Sequence, residues 1–153
     1  MSVTQVSRGV CPLVHHSVFA PLYAVRTGDT LTLTIGAAAP LMALRSDRRA
    51  LPLGTAALDD DFSTTEIILP PGTEEVLLMP PEIDWSYMGF GRIRRTAKIV
   101  RRSDGQRAIR IETSRTNRFR TVLGPEFYPA ILEMNRRLAS PAQRTGVLRL
   151  KAE

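Results

Sequence analysis

The chain has 153 residues and a mass of 17.0 kDa, the size of one ordinary domain or two very small ones. Its hydrophobic fraction of 43% and charged fraction of 24% exclude wholesale disorder, and its net charge of +6 makes it basic. The longest uncharged runs, residues 9–25 and 30–44, are shorter than the roughly 18–20 apolar residues of a membrane span. We therefore expect no membrane association, and a location in the cytoplasm or within an assembled particle.

Residues 1–84 have the pattern of short β-strands, and we expect them to form a sandwich-like or barrel-like part. Segment 30–35 alternates threonine with leucine or isoleucine, as an amphipathic strand does. Segments 66–69 and 76–79 flank Pro70-Pro71-Gly72-Thr73, which predicts a hairpin. Short strands separated by proline and glycine at intervals of roughly ten residues are typical of sandwiches and barrels.

Residues 85–153 give clearer signals and predict a three-stranded antiparallel meander. We expect its strands at 92–102, 106–113 and 117–123. The first two are joined by Ser103-Asp104-Gly105, in which Asp-Gly is a strong hairpin signal.

An amphipathic helix is expected after the meander, at about residues 126–139, followed by a final strand at 145–151. The apolar stripe of the helix has helical spacing and consists of Phe127, Ile131, Met134 and Leu138. We thus predict a mainly β fold of the β-rich α+β type. We expect one domain over 1–153, with a possible division into an acidic part, 1–84, and a basic part, 85–153.

The net charge is divided unevenly along the chain. Residues 1–91 contain five arginines and ten acids, a net charge of −5. Residues 92–153 contain 16 lysines and arginines and five acids, a net charge of +11. Lys98 and Lys151 are the only lysines, and arginine binds phosphate or carboxylate through a planar, two-pronged group. A partner is therefore expected on the second part of the chain.

Strand geometry predicts that many of these cations share one open face, because residues two apart in a strand lie on the same side. The helix is expected to cover the opposite, apolar side. The candidate phosphate-binding residues are Arg92, Arg94, Lys98, Arg102, Arg110, Arg118 and Arg120. Glu112 is the one acid expected among them, while Arg95, Arg101 and Arg107 have the other parity and are expected at strand ends or edges.

Three aromatic residues, Trp85, Tyr87 and Phe90, stand just before this basic segment. Aromatic rings beside arginines on an open sheet are typical of nucleic-acid binding, since rings stack on bases while guanidinium groups bind phosphates. Neutralising about five phosphates would give a log–log salt slope near −3.5 on single strands. The alternative is that the aromatic cluster belongs to the core.

Two functions follow from these features. The first is a non-catalytic nucleic-acid-binding protein, for single strands or for shape, with DNA and RNA both open. The second is a structural or assembly protein, such as a phage, virion or secretion-machine subunit, that self-associates through its acidic and basic surfaces. The expected partners are nucleic acid or an acidic protein surface, together with further copies of the chain.

Catalytic and metal-binding signatures are missing from the sequence. It contains no G-x-S-x-G and no P-loop, so we predict no catalytic residue, no cofactor and no enzymatic activity. Cys11, His15 and His16 are the softest potential ligands, but adjacent histidines on a strand point to opposite faces. No metal site is predicted.

Overall fold

The computed structural model describes the backbone of residues 3–8, 15–19, 23–35, 50, 53–54, 60–87, 91–117 and 122–151. This part of the chain contains twelve strands and one α-helix. The strands are β1 (Val3–Arg8), β2 (His15–Phe19), β3 (Tyr23–Thr27), β4 (Thr30–Thr34), β5 (Leu53–Gly54), β6 (Asp60–Ile68), β7 (Thr73–Leu78), β8 (Ile83–Tyr87), β9 (Gly91–Arg101), β10 (Arg107–Asn117), β11 (Val122–Leu123) and β12 (Thr145–Leu150). The helix is α1 (Tyr128–Ala139), with short 3-10 turns at Pro125–Phe127 and Pro141–Gln143 on either side.

Two antiparallel sheets make up most of the fold, which confirms the predicted mainly β class. A six-stranded sheet has the order β2-β1-β6-β10-β9-β8, and a four-stranded sheet has the order β3-β4-β12-β7. Both sheets combine strands from before residue 91 with strands from residue 91 onwards, because β6 pairs with β10 and β12 lies between β4 and β7. The strands of the first 84 residues therefore do not form a separate sandwich-like part.

The hairpin between β9 and β10 is confirmed at its predicted turn. Gly105 has a φ of 82°, a left-handed conformation that glycine adopts at no steric cost. The Asp104 carboxylate accepts a hydrogen bond from the backbone N–H of Gln106 at 3.0 Å. The two strands then pair over eleven residues each, from Arg107 opposite Arg101 to Asn117 opposite Gly91.

The third strand of the meander, predicted at 117–123, does not pair with β10: residue 117 ends β10, Val122–Leu123 form β11, and residues 118–121 lie outside the described residues. Strand β10 continues through Ser114-Arg115-Thr116, where a turn was expected, since these residues keep their ladder partners on both sides. Because β10 pairs with β9 on one edge and β6 on the other, neither edge can accept a further strand. The meander consists instead of β8, β9 and β10, and β11 pairs with β5.

The predicted hairpin around Pro70-Pro71-Gly72-Thr73 is also wrong, because β6 and β7 belong to different sheets. A turn does form, with the N–H of Thr73 donating to the carbonyl of Pro70 at 3.2 Å and with Gly72 at a φ of 83°. The two prolines have no N–H to offer a ladder, so the chain leaves the first sheet there and enters the second.

The main core lies between the two sheets. Its buried residues come from both and are Leu33, Ile67, Leu69, Ala97, Ile109, Ile111 and Leu148. Half-buried Leu31, Ile35, Val76 and Met79 pack against them. The apolar side of β9 and β10 is thus covered by the four-stranded sheet, a role that the sequence assigned to the helix. Residues before and after 91 share this core.

Helix α1 confirms the predicted position of the helix. Ile131 and Leu138 are buried, whereas Phe127 and Met134 of the expected stripe are half-buried. Pro129 lies in the first turn of the helix, where its missing N–H leaves no helical hydrogen bond unmade. Two hydrogen bonds hold the segment after the helix to residue 35, next to β4. The backbone N–H of Ile35 donates to the carbonyl of Arg144 at 2.8 Å, and Nε of Arg144 donates to the carbonyl of Ile35 at 3.0 Å.

The core placement predicts different costs for two isoleucines that face each other across β9 and β10. Ile109 is 0% exposed and its register partner Ile99 is 45% exposed. We expect Ile109→Ala to lower the free energy of unfolding by about 2–5 kcal/mol, because it leaves a cavity between the sheets. Ile99→Ala is the matched control and should cost about 1 kcal/mol or less. Urea denaturation followed by circular dichroism measures both, and equal costs would contradict this description of the core.

Candidate nucleic-acid interface

The face of the six-stranded sheet that is turned away from the four-stranded sheet is called the outer face here. Residues directly opposite each other in antiparallel strands lie on the same face, and on β9 the buried Ile93 and Ala97 alternate with exposed positions. The outer face therefore carries four of the predicted cations, Arg92, Arg94, Lys98 and Arg110. Arg110 is half-buried and the other three are exposed.

Strand β6 brings a glutamate into the centre of this face. Glu66 is the register partner of Arg110, and its Oε1 accepts hydrogen bonds from Arg110 Nε at 2.8 Å and Nη2 at 2.7 Å. Its Oε2 lies 3.7 Å from Nε of Arg102, whose Nη1 also lies 3.6 Å from Asp104. Arg102 is positioned just past the end of β9, in the turn to β10. Glu66 therefore neutralises charge on two of the predicted phosphate ligands.

A second carboxylate holds Arg92. Asp84 on β8 accepts hydrogen bonds from Arg92 Nε at 2.7 Å and from Nη2 at 2.6 Å, a bidentate pair. The hydrogen bond from Arg92 lowers the pKa of Asp84 below its ordinary value, and the charge of nearby Arg94 adds to this effect. Lys98 lies 3.8 Å from Glu112, a looser and exposed contact.

The prediction that Glu112 is the one acid among these cations is therefore wrong. Among the residues whose side chains the structure describes, the cations lie among four acids rather than beside Glu112 alone. These acids are Asp60, Glu66, Asp84 and Glu112. The parity argument found the cations correctly, but it could not see that β6 and β8, both from the acidic part of the chain, would be the neighbouring strands.

Arg94 differs from the other cations of the outer face. It is exposed and makes no ion pair with any residue that the structure describes. Its register partners are Asp84 on β8, which is engaged by Arg92, and Ser114 on β10. Arg94 is therefore the cation of this face that is best placed to bind an external anion.

Trp85 does not lie beside the arginines. It is the register partner of the buried Ile93, so it belongs to the opposite side of the sheet, and its side chain is half-buried. This position agrees with the alternative that the tryptophan contributes to the core. Tyr87 pairs through its backbone with Gly91, but its side chain, together with Phe90, Arg118 and Arg120, falls outside the described residues.

An aromatic residue that sequence reasoning missed lies on the outer face instead. Phe62 on β6 is 42% exposed and is the register partner of Ser114, which in turn is the partner of Arg94. The sequence did contain a signal for this position. Phe62 and Ile67 are five residues apart, so they lie on opposite faces of β6, and Ile67 is buried at 3% exposure. It could not be used without knowing that β6 lies next to β10.

Arg95 was expected at a strand end but lies in the middle of β9 on the buried face, 4% exposed. Its Nε and Nη2 donate to the carbonyl of Pro81 at 3.2 and 3.1 Å, and Nη2 also donates to Oε1 of Gln143 at 2.8 Å. Burial lowers the pKa of Arg95. This arginine connects the segment after the helix to the sheet. Arg101 and Arg107 are confirmed at the ends of β9 and β10.

Other kinds of site find no support in the described part of the chain. It contains no cluster of three or more histidine, cysteine or acidic residues that could hold a metal ion. None of its helices is both long and apolar enough to span a membrane. Cys11 and the side chains of His15 and His16 lie outside the described residues.

Comparison with known proteins gives no relative for this chain. No protein-family model matches it, and no curated protein or solved structure is significantly similar.

The ion pair at the edge of the outer face predicts the titration of Asp84. Its pKa is lower in the folded than in the unfolded chain, so the pair stabilises the fold above the unfolded pKa of about 3.9, and this contribution is lost as the pH falls through the lowered value. We expect Arg92→Gln to raise the pKa of Asp84 more than Arg94→Gln does, because Arg92 donates two hydrogen bonds and Arg94 acts through charge alone. Carboxyl NMR titration measures both shifts, and equal shifts would contradict the assigned pairing.

Proposed function

We propose that this chain is a non-catalytic protein that binds single-stranded nucleic acid on the outer face, in the cytoplasm or within an assembled particle. Phe62 would stack on a base and Arg94 would bind a nearby phosphate. One observation carries the proposal: both exposed side chains belong to a single register row, with the small residue Ser114 between them.

The spacing between Phe62 and Arg94 suits a flexible, single-stranded nucleic acid. Neighbouring strands are about 4.8 Å apart, so the Cα atoms of Phe62 and Arg94 are separated by about 10 Å across β10. Ser114 is exposed and too short to obstruct a base lying between them. Stacking on an aromatic ring is worth about 1–3 kcal/mol per base and tolerates any sequence. This favours binding with little sequence preference.

The charge balance makes the expected affinity modest. A cation held tightly by a carboxylate gains little from a phosphate, whereas Arg94 makes no ion pair within the described residues and exposed Lys98 has only its loose 3.8 Å contact with Glu112. Two phosphate contacts give a log–log salt slope of about −1.4 on single strands, compared with about −3.5 for five. We therefore expect weaker and less salt-dependent binding than five phosphate contacts would give.

Fluorescence anisotropy with a labelled single-stranded oligonucleotide tests the proposal. We expect binding that weakens by only about sevenfold between 50 and 200 mM salt, as a slope of about −1.4 requires. Phe62→Ala should weaken binding by about tenfold through lost stacking. Arg94→Gln should weaken it by a few-fold and reduce the magnitude of the slope by about 0.7.

Two variants elsewhere on the surface serve as matched controls. Leu77 has the same 42% exposure as Phe62 but lies on the four-stranded sheet, and Arg137 is an exposed arginine on the helix. Leu77→Ala and Arg137→Gln should leave the affinity unchanged. No binding at about 50 mM salt, or equal losses in the controls, would overturn the proposal. A slope near −3.5 would contradict its assignment to so few cations.

The alternative function, self-association through acidic and basic surfaces, meets a specific obstacle. Within the described residues, five ion pairs join acids before residue 91 to arginines after it: Glu66 with Arg102 and with Arg110, Asp61 with Arg115, Asp84 with Arg92, and Glu75 with Arg149. These opposite charges are therefore satisfied within one chain, which leaves less free charge for head-to-tail docking. Self-association would need a surface of another kind.

A further inference from the structure

The four-stranded sheet has its own solvent-facing side, and this side is unusually apolar. Within the described residues, five large hydrophobic side chains are exposed, and three of them belong to the two edge strands of this sheet. Val25 on β3 is 62% exposed, and Leu77 and Leu78 on β7 are 42% and 48% exposed. Single exposed apolar residues are ordinary, but a group on one face is not.

The strand register shows that these residues are aligned. Val25 is opposite Thr32, Thr32 is opposite Val147, and Val147 is opposite Leu78, so one row crosses all four strands. The buried neighbours Leu33 and Leu148 have the other parity and face the core, which places this row on the solvent side. We call it the apolar row.

Leu77 extends the row at the edge of the sheet. The pairing shifts by one residue between Val147 and Leu148, so Leu77 has no register partner of its own. Bulges of this kind twist an edge strand and hinder the addition of another strand alongside it. The bulge therefore favours contact through the face of the sheet over pairing at its edge.

Charge around the apolar row is balanced. The neighbouring row contains the ion pair between Arg149 and Glu75, whose atoms are 3.0 Å apart, and exposed Glu74 and Lys151 lie close to it in the sequence. A surface of one sign would repel a copy of itself. A neutral apolar row with both signs at its border can instead meet an identical surface, as a two-fold interface requires.

We propose that the apolar row is the interface between two copies of this chain, packed face to face through their four-stranded sheets. The sheet is about 19 Å wide and about 17 Å long at the row, from four strands of five residues. The projected area is therefore roughly 300 Å², well below the roughly 800 Å² per partner of a standard stable interface. The dimer should accordingly be weak, with a Kd in the micromolar to millimolar range.

Analytical ultracentrifugation over about 10 µM to 1 mM protein tests this interface. We expect a monomer–dimer equilibrium that is unchanged or strengthened at high salt, since apolar burial drives it. Leu78→Asp should raise the dimer Kd by at least about tenfold, because it places a carboxylate in the contact. Val25→Asp, at the far end of the row, should act in the same direction and replaces the first variant if that one fails to fold.

Ile99→Asp is the matched control, since Ile99 is 45% exposed on the other sheet. It should leave the dimer Kd unchanged. A strict monomer at about 1 mM would overturn the proposal, and so would a dimer that tolerates both Leu78→Asp and Val25→Asp. Association that weakens with salt and ignores these variants would be charge-driven and would equally overturn it. Because Phe62 and Arg94 lie on the other sheet, each result is independent of nucleic-acid binding.

Discussion

The pairing of β6 with β10 is the contact on which the rest of the fold depends. It joins nine residues of the acidic first part of the chain to nine residues of the basic second part, from Asp60 opposite Thr116 to Ile68 opposite Ala108. A shift of β6 by one residue would turn Ile67 out of the core while Ile109 and Ile111 stayed in it, so the apolar pattern fixes the register. That same register places Glu66 opposite Arg110. The burial of these isoleucines and the pairing of Glu66 with Arg110 are thus consequences of a single alignment.

Local features of this fold could be predicted from the sequence, whereas the partners of its strands could not. The hairpin at Asp104-Gly105, the helix at 128–139 and the last strand all depend on residues within a few positions of each other. The predicted pairing of segment 117–123 with β10 failed because the second partner of β10 is β6, which lies roughly 40–56 positions earlier in the chain. Nothing in the residues around Ser114 signals a partner at that distance. Alternation identifies a strand and its faces, but neighbours are chosen by packing in the whole molecule.

The candidate site shows the same limit for charge. Parity placed Arg92, Arg94, Lys98 and Arg110 on one face correctly, and this needs only the geometry of one strand. The field of a face also depends on the strands beside it, which here carry Glu66 and Asp84. A local count of cations therefore overestimates a basic surface whenever an acidic segment of the same chain can pair with it. The same limit applies to the aromatic residues. Trp85 was expected beside the arginines but pairs with the buried Ile93 and lies on the opposite face, whereas Phe62 lies on the outer face through its pairing with Ser114.

Each sheet has one face in the common core and one face open, and the two open faces differ in chemistry. One presents charged pairs with an exposed ring, and the other presents aliphatic side chains and threonines. A dimer formed through the four-stranded sheets would stack four layers about 10 Å apart, so the two outer faces would lie about 30 Å from each other on opposite sides. A short oligonucleotide could not reach both. Dimerisation would therefore raise the affinity for nucleic acid only when the oligonucleotide is long enough to pass around the edge of the dimer. Any gain in affinity should thus depend on the length of the oligonucleotide.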